Sequence, residues 1–357
     1  MLRFPLAAVI FVLAGGSARA AEFTPKVVVI AMFEPGADKG DAPGEYQYWV
    51  EREHLDRVVP LPAAHHDVRL NADGSIAAIV TGEGNSNAAA SIMALGCDPH
   101  FDFRHTYFLV AGIAGIDPAD GSIGSAVWAD YVVEGDLAHE IDAREIPSDW
   151  PTGYVPLGRT KPYEKPRLPT NDGTGQVYQL DTGFVRWAFG LTRDTRLVDN
   201  EKMARRRATY TETPNARKPP FVTIGANLAS STYWHGRLLN RWANDWVAYC
   251  TDGKANYVTT AMEDSGTLRS FTNLGRAGKV DARRILVLRT ASNYDMQWPG
   301  ATAAESLNAA EGMSGEQPGA YTAYLPSLEA AYLVGSRVVH ELLSQWSRYE
   351  TAVPQAP

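Results

Sequence analysis

Short apolar segments recur along the chain, and glycine or polar residues follow each of them. Most of these segments are continuously apolar rather than alternating, which is typical of strands that are covered on both faces of a sheet. The predicted strands are residues 26–33, 67–70, 76–81, 106–111, 125–133, 221–225, 257–260 and 285–288.

Segments with helical spacing or composition separate these strands. The predicted helices are residues 46–58, 88–95, 177–191, 238–248 and 328–346. Strands that alternate with helices predict an α/β fold, with a central, twisted, mostly parallel sheet flanked by helices on both faces. No linker-like stretch divides the chain after its first twenty residues, so we expect residues 21–357 to form a single domain.

Residues 147–175 interrupt this alternation. The segment holds six prolines and several glycines but few apolar positions, which predicts a long excursion over the surface. Such a segment serves as a lid over a site or as a contact in a homo-oligomer, and the sequence leaves both alternatives open.

Polar or glycine residues follow the predicted strands at six places. They are Glu34, Gly82 with Gly84, Gly112 with Gly115, Asn227, Met262 with Glu263, and Ser292 with Asn293. Ligands of α/β sheets bind in the crevice outside the carboxyl ends of the strands, where a few polar groups converge. The sequence therefore predicts a ligand site built from several separated chain segments.

The most informative of these places is the segment YVTTAMEDSGTL, residues 257–268. Its β-branched and aromatic beginning predicts a short strand, which ends in Met262, Glu263 and Asp264. Carboxylates are rarely buried without a partner. One interpretation is an exposed turn after an edge strand, and the other is a pair of acids that holds polar groups of a ligand.

Composition narrows the class of ligand. The 357 residues carry a formal net charge of −8, and the pI is near 5.5. Contacts to nucleic acid need clustered cations, and the one basic cluster, residues 205–207, is short, so we expect no nucleic-acid partner. Beyond the first twenty residues no window approaches the ~18 uninterrupted apolar residues of a membrane span.

Residues 1–20 have the pattern of a secretory signal peptide. Arg3 precedes an apolar run over residues 4–14, and small residues suited to cleavage follow. We therefore expect an exported protein, most simply one of a bacterial periplasm. An oxidising compartment permits a disulfide between Cys97 and Cys250, and two unpaired buried thiols are the alternative.

Two further patterns carry less weight. The acids around His139, in residues 134–142, lack the defined ligand spacing of a metal site, so we expect no metal. Gly82 and Gly84 begin a dinucleotide-binding pattern, but Asn87 replaces its third glycine. A dehydrogenase with a nicotinamide cofactor is therefore the weakest alternative, and we expect no cofactor.

Five longer strings carry a family resemblance. They are WVEREHLD, IVTGEGNSNAAASIMALG, YFLVAGIAGIDPADGSIGSAVWADYVVEGDLAHEIDAREIP, AMEDSGTL and RTASNYDMQ. With them the chain resembles the purine nucleoside permease family over nearly its whole mature length. It is more remotely similar to nucleoside phosphorylases and to methylthioadenosine/S-adenosylhomocysteine nucleosidases. The resemblance implies a phosphorylase-like α/β fold and a purine nucleoside, such as adenosine, guanosine or inosine, as partner.

The remoter similarity also implies roles for residues that match the motifs of those enzymes. Met262 would pack against the sugar, and Glu263 would accept hydrogen bonds from the ribose hydroxyls. Asn293, beside Ser292, would hydrogen-bond the purine ring, to which an amide donates without losing a proton. Glu34 resembles the acid that activates water, with an alignment that is off by one residue.

Departures from the phosphorylase pattern bear on the nucleophile. The glycine turn has Ala114 and its neighbour where those enzymes usually have a serine, and residues 110–111 replace an arginine. Phosphate needs a cationic cradle, so the resemblance implies water as the nucleophile, or no reaction. Tyr233 or Trp234 would stack on the base.

Two functions are consistent with this pattern. The first is an exported nucleosidase in which Glu263 stabilises the cationic sugar, Asn293 stabilises the departing purine and Glu34 takes a proton from water. The alternative is a component that binds nucleosides for uptake and does not cleave them. The name of the family, which refers to transport, implies this second function.

Overall fold

The computed structural model describes residues 21–167, 176–311 and 322–356. Its strands are β1 (Val27–Ala31), β2 (Arg57–Val59), β3 (Val68–Leu70), β4 (Ile76–Val80), β5 (Tyr107–Ile116), β6 (Ala126–Glu134), β7 (Ala138–Glu140), β8 (Tyr154–Pro156), β9 (Val177–Gln179), β10 (Val222–Ala229), β11 (Tyr257–Ala261) and β12 (Ile285–Tyr294). Its helices are α1 (Gln47–Arg52), α2 (Asn85–Cys97), α3 (Thr182–Thr192), α4 (Glu201–Ala208), α5 (Arg237–Cys250), α6 (Asp264–Arg276), α7 (Ala303–Glu311), α8 (Tyr324–Ser344) and α9 (Trp346–Tyr349). The predicted signal peptide and the end of the predicted excursion lie outside the described residues.

A mixed sheet forms the centre of the molecule, in the order β11-β10-β6-β12-β5-β1-β4-β3-β2. β1 is buried along its whole length and pairs in parallel with β4 on one side and with β5 on the other. β12 continues this parallel set beside β5. Among the helices, α8 packs on β12 and β5, while α5 packs on β10 and β11. These features confirm the predicted α/β fold with its central sheet.

Part of this sheet closes on itself. β6 is antiparallel to β12, β10 is parallel to both β6 and β11, and β11 returns to pair with β5 in antiparallel orientation. β5, β12, β6, β10 and β11 therefore form a closed ring, which removes the edge that β11 would otherwise expose. The apolar pattern did not indicate the two antiparallel junctions, because fully buried strands of either direction have similar composition.

Three strands, β5, β10 and β12, continue four to six residues beyond the apolar runs that predicted them. The added residues of β12 pair with those of β5, from Arg289 opposite Gly112 to Tyr294 opposite Ile116. The predicted glycine turn is therefore part of a strand. Gly112 lets buried side chains approach the strand closely, because an added Cβ would lie 2.5 Å from Glu45 Oε1 and 2.7 Å from Arg289 Nη1 and would displace both groups.

Two of the predicted helices include residues that form strands in the structure. The predicted helix 177–191 is β9 followed by α3, because Asp181 starts the helix by accepting a hydrogen bond from Phe184 N at 2.9 Å. The predicted helix 46–58 stops with α1. His54 then takes a left-handed conformation with φ of 51°, and the chain continues into β2.

No helix within the described ranges is both long enough and apolar enough to cross a membrane. Cys97 lies exposed at the end of α2, Cys250 lies buried at the end of α5, and both thiols are free. Burial raises the pKa of the Cys250 thiol to about 12. Of the two alternatives for the cysteines, the structure shows unpaired thiols, only one of which is buried.

Candidate functional site

A cavity lies beside the carboxyl end of β1, between β5, β11 and β12, and has a volume of about 470 Å³ including its open mouth. Seven predicted site residues line it, and they are Ala114, Gly115, Tyr233, Met262, Glu263, Ser292 and Asn293. The lining also contains residues without a predicted role, and they are Met32, Phe33, Glu45, Glu83, Ile113, Thr260, Ala261 and Arg289.

Arg289, in the middle of β12, supplies the positive charge of this cavity. Its guanidinium donates to Asp264 through Nε at 3.0 Å and through Nη2 at 2.5 Å, and Nη2 also donates to Glu263 at 3.1 Å. Nη1 donates to the carbonyl of Ile113 at 3.1 Å and lies 4.0 Å from Glu45 Oε1. A buried cation needs such partners, since breaking a buried ion pair costs about 3–5 kcal/mol.

Glu263 reaches the cavity because it stands between β11 and α6. Its carboxylate accepts hydrogen bonds from Gly84 N and from Met262 N, each at 3.2 Å. Burial raises the pKa of Glu263, and the positive charge of Arg289 opposes that shift. The backbone after β4 and the backbone after β11 therefore hold one buried carboxylate between them.

Glu45, which no sequence pattern indicated, is a second buried acid of the lining. It lies in the loop between β1 and α1, and its carboxylate accepts from Met32 N at 2.8 Å and from Ile113 N at 2.6 Å. Burial raises the pKa of Glu45 to about 8, against the lowering effect of Arg289. A carboxyl group with a pKa near neutrality is suited to accept a proton from a reacting group.

Little in the sequence points to Glu45. The loop around it has no periodic pattern, and no motif marks the residue. The available signal is indirect: a glycine inside a strand indicates the close approach of another group. Gly112 is such a glycine, and the group that approaches it is the Glu45 carboxylate.

Glu34 lies outside the lining of the cavity, which corrects its predicted position. Its carboxylate accepts three backbone hydrogen bonds, from Gly44 at 2.6 Å, Tyr46 at 2.9 Å and Gln47 at 2.7 Å. These amides stand on both sides of Glu45 in the chain. Glu34 therefore fastens the loop that carries Glu45 into the cavity, and Glu45 is the acid that faces a ligand.

Another part of the lining carries neutral polar groups. Asn293 donates from Nδ2 to Tyr233 Oη and to the carbonyl of Tyr294, each at 3.0 Å. Its Oδ1 accepts a hydrogen bond from the Ser292 hydroxyl at 2.8 Å. Ser292 thereby turns the amide nitrogen of Asn293 towards Tyr233, where a planar ligand would meet both a donor and an aromatic ring.

Of the two aromatic residues predicted to stack on a base, Tyr233 faces the main cavity. Trp234 is buried against Trp242 and Tyr257 and borders a small recess next to the cavity. The indole of Trp234 therefore belongs chiefly to the core, and the structure corrects its predicted position. Tyr233 is the aromatic residue of this loop that a ligand in the cavity would touch.

Asn227 is also placed differently from its prediction. It lies inside β10 rather than in a loop, and its Nδ2 donates to Asp264 Oδ2 at 2.6 Å. Asp264 in turn binds Arg289. Asn227 therefore supports the charged part of the cavity from behind and does not line it.

Gly82 and Gly84 have left-handed backbones, with φ of 81° and 85°. The amide of Gly84 binds Glu263, whereas an added Cβ on Gly82 would lie 2.9 Å from the ring of His65. The two glycines shape the loop that follows β4, and one of them positions an acid of the site.

Within the described part of the chain, no group of three or more His, Cys, Asp or Glu side chains could hold a metal ion. Asp136, one of the acids that follow β6, accepts from Ser230 Oγ and from Ser231 N, each at 2.6 Å. These serines begin the loop that carries Tyr233. Asp136 thus fastens a wall of the cavity.

Comparison with known proteins assigns the chain to a family. The model of the purine nucleoside permease family matches residues 24–354, a range that contains the whole cavity lining. The chain belongs to the purine nucleoside permease family. A probable purine nucleoside permease of Schizosaccharomyces pombe is 31% identical over 342 residues, which cover 91% of each protein. A purine nucleoside permease of Candida albicans is 31% identical over 334 residues, which cover 92% of this chain and 78% of the relative.

Solved structures with a similar fold carry other names. The 5′-methylthioadenosine/S-adenosylhomocysteine nucleosidase of Helicobacter pylori has a TM-score of 0.50 and 14% identity, with 89% of this chain and 100% of that chain covered. The futalosine hydrolase of Helicobacter pylori has a TM-score of 0.48 and 14% identity, with coverage of 90% and 99%. The likeness to the nucleosidase shows that this permease-family member has a nucleosidase-like α/β fold.

Proposed function

We propose that this member of the purine nucleoside permease family binds a purine nucleoside in the cavity and hydrolyses its N-glycosidic bond. The observation that carries the proposal is Glu45, a buried acid with a raised pKa that lines the same cavity as Glu263 and Asn293. The names of the relatives support a purine nucleoside as the ligand. Acids with strongly shifted pKa values in a cavity are typical of catalytic sites.

The direction of β12 suggests how the nucleoside would lie. Arg289 and Asn293 pair with Gly112 and Gly115, three residues apart on β5, because β12 is irregular between Ala291 and Asn293. A strand advances about 3.3 Å per residue, so the two residues are about 10 Å apart along the sheet, which leaves room for a sugar and a two-ring base. The ribose would lie at the charged part, with its hydroxyls on Glu263 and its carbon face on Met262. The purine would lie between Asn293 and Tyr233.

Cleavage would proceed with water as the nucleophile. As the C1′–N9 bond breaks, the sugar gains oxocarbenium character, which the negative charge of Glu263 would stabilise. One Nη1 hydrogen of Arg289 remains beside Glu45, so a water between these two groups would be oriented for attack on C1′. Glu45 would take one proton of that water.

The leaving purine keeps the electron pair of the broken bond. Asn293 Nδ2 would donate to purine N7 as negative charge builds there, in exchange for its hydrogen bond to Tyr233. Asn293 has no proton to give, so the purine would be protonated from solvent. Glu45 would return its proton to solvent, and the products would be ribose and a neutral purine.

Phosphate fits this cavity less well than water does. Arg289 is the only cation of the lining among the described residues. Its charge is already matched by Glu263 and Asp264, with which it shares hydrogen bonds. A phosphate ion would meet more carboxylates than cations, whereas phosphate sites supply cations and free N–H donors.

A second candidate function is nucleoside binding for uptake without chemistry. The relatives are named permeases. Asn293 is also an amide, which cannot protonate a departing purine. Both observations are consistent with a site that holds a nucleoside and releases it unchanged.

Incubation of the purified protein with adenosine, guanosine and inosine in phosphate-free buffer separates the two candidates. Release of base and ribose in equal amounts supports hydrolysis, and Glu45→Gln, which keeps the shape of the side chain, should then bind nucleoside but release almost no base. Tight binding without base release by the wild type would leave only the binding function. A rate that rises with added phosphate would contradict water as the nucleophile.

We also propose that the protein is exported, on the basis of the signal-like sequence of residues 1–20. Mass measurement of the protein recovered from a periplasmic fraction tests this. A chain that starts at Ala21 supports export, whereas a full-length chain confined to the cytoplasm contradicts it.

A further inference from the structure

Glu83 is the acid of the cavity lining that has no hydrogen-bond donor or cation as a side-chain partner among the described residues. It stands between Gly82 and Gly84, and Gly84 N donates to Glu263 at 3.2 Å, so Glu83 borders the charged part of the cavity. Its side chain is exposed, whereas Glu45 and Glu263 are buried. Glu83 therefore offers a free acceptor at the mouth of the cavity.

The charges around Glu83 do not balance. Besides Glu45, whose raised pKa keeps it mostly protonated near pH 7, the lining holds the carboxyl groups of Glu83 and Glu263 against the single guanidinium of Arg289. Asp264 stands directly behind that guanidinium. The hydrogen bonds of Arg289 go to Asp264, Glu263 and a backbone carbonyl. An anionic group of a ligand at the mouth of the cavity would be repelled by the Glu83 carboxylate. No cation of the described lining is free to offset that repulsion.

We propose that Glu83 selects ligands by their 5′ position: it accepts a hydrogen bond from a free 5′-hydroxyl and excludes nucleosides that carry a 5′-phosphate. This inference rests on the proposed function, because it assumes that a nucleoside occupies the cavity. It specifies the ligand as an uncharged nucleoside rather than a nucleotide.

The place of Glu83 points to the 5′ position in particular. In the proposed pose Glu263 takes the 2′- and 3′-hydroxyls, so the hydroxyl of the ribose that remains is the one on C5′. The 5′ substituent lies on an exocyclic carbon and reaches furthest from the ring. Glu83 is likewise the exposed acid at the mouth and adjoins Glu263 through Gly84.

Binding measurements on four proteins test this inference. They are the wild type, Glu83→Gln, Glu83→Lys and Glu212→Gln, of which the last is a control for net charge at an exposed acid away from the lining. The ligands are adenosine, 5′-deoxyadenosine and adenosine 5′-monophosphate. Calorimetric titration gives each dissociation constant, and thermal melting of each variant shows whether it is folded.

The wild type should bind adenosine at least about 100-fold more tightly than the monophosphate, since placing like charges together costs several kcal/mol. Glu83→Gln should reduce that ratio by about tenfold, and Glu83→Lys should reduce it further by gaining affinity for the monophosphate. Loss of the 5′-hydroxyl should weaken binding to the wild type several-fold and binding to Glu83→Gln less. Glu212→Gln should match the wild type throughout.

Two results would overturn the inference in different ways. If the wild type binds adenosine and its 5′-monophosphate equally well, or if Glu83→Gln keeps the wild-type ratio, Glu83 does not select the ligand, while the proposed function stands. If no nucleoside binds to the folded wild type, the proposed function fails and the role of Glu83 fails with it.

Discussion

The charged and the neutral parts of the cavity are held in different ways. In the charged part, Arg289, Glu263 and Glu45 are all buried, and each has backbone or ionic partners that stay in place without a ligand. In the neutral part, Asn293 and Tyr233 share one hydrogen bond of 3.0 Å, which a ligand can replace. The charged part is therefore preorganised, whereas in the neutral part Asn293 can exchange its hydrogen bond with Tyr233 for one with a ligand.

This difference suits a reaction in which positive charge develops on a sugar while a neutral ring departs. Fixed charges stabilise a charged transition state without reorganising, and that is where they contribute most. A purine needs donors and acceptors that match its edge, which exchangeable amide and hydroxyl groups provide. Changes in the charged part should therefore affect folding and turnover, and changes in the neutral part should affect the choice of base.

Replacement of Arg289 by methionine should have the largest effect. It leaves Asp264 and Glu263 buried without their cation, and breaking a buried ion pair in this way costs about 3–5 kcal/mol. Urea denaturation at pH 7 should show that loss in the free energy of unfolding, and base release should vanish. The loss should shrink at lower pH, because protonated carboxyl groups no longer need the cation.

Arg207→Met is the matched control for this change. Arg207 is also buried, but the side chain of its partner Asp199 is 33% exposed and can be solvated after the pair is broken. This variant should lose less stability than Arg289→Met and should keep nucleoside turnover. An Arg289→Met protein as stable as the Arg207→Met protein would mean that the charged part is not held by its ion pairs.

Glu45→Gln should remove most turnover while the protein still folds and binds nucleoside. One of the Met32 and Ile113 amides loses its acceptor, which should lower the free energy of unfolding by about 1–3 kcal/mol. A positioned general base contributes about 10²- to 10⁴-fold to a rate. Glu45 must be ionised to take a proton, and its pKa is about 8. In the wild type, kcat/KM should therefore rise about tenfold per pH unit up to pH ~8 and level off above it, and Glu45→Gln should lack that rise. A wild-type rate that is constant across this range would exclude Glu45 as the base.

The same carboxyl group links stability to pH. The folded protein holds the Glu45 proton more tightly than the unfolded chain does, because burial raises the pKa from 4.5 to about 8. This contribution to the free energy of unfolding is complete below pH 4.5 and is lost as the pH rises to about 8. Glu45→Gln should remove this contribution, which denaturation at pH 5 and at pH 8 would show.

The parts of the site that were predicted from the sequence are local ones. Met262 with Glu263 and Ser292 with Asn293 are neighbours in the chain, and each pair follows an apolar run that marks a strand. Alternation of such runs with helical segments was also sufficient to predict the α/β fold. A short-range sequence pattern is sufficient to predict a site residue when that residue lies within a few positions of the strand that places it in the cavity.

The parts that were missed depend on contacts between distant segments. Glu45 lies in a loop without pattern, and only its contacts with the distant Ile113 N and Arg289 place it in the cavity. Glu34 was chosen instead because it directly follows the first strand. Arg289 itself has a signal, since an arginine inside an apolar strand requires buried acids, but the sequence does not say which acids they are.

Asn293→Asp should change the preference for the base more than the overall rate. An ionised carboxylate accepts from a 6-amino group but repels the acceptor of a 6-oxo purine, whereas the amide can donate to it. The ratio of kcat/KM for adenosine to that for inosine should rise about tenfold, because one unfavourable contact between a carboxylate and a 6-oxo group costs about 1.4 kcal/mol. Asn200→Asp, the same change at an exposed position away from the lining, should leave the ratio unchanged. An unchanged ratio in Asn293→Asp would remove Asn293 from the contact with the base.

Glu34→Gln should have the smallest effect. It tests whether Glu34, which lies outside the cavity lining, positions Glu45 by holding its loop. The amide group of glutamine replaces one acceptor oxygen by a donor. At least one of the Gly44, Tyr46 and Gln47 amides then loses its partner, which costs about 1–3 kcal/mol. Looser attachment of the loop should lower turnover about tenfold, less than Glu45→Gln does.

The pH profile separates this positioning role from a merely structural one. If Glu34 holds Glu45 in its buried place, a looser loop admits water, and the rise of kcat/KM should move from pH ~8 towards the ordinary range of a carboxyl group. Asp41→Asn is the matched control, because Asp41 lies in the same loop but accepts its hydrogen bond from Ala37 N. It should leave the profile in place. A Glu34→Gln protein with reduced stability and an unmoved profile would show that Glu34 supports the fold without positioning the base.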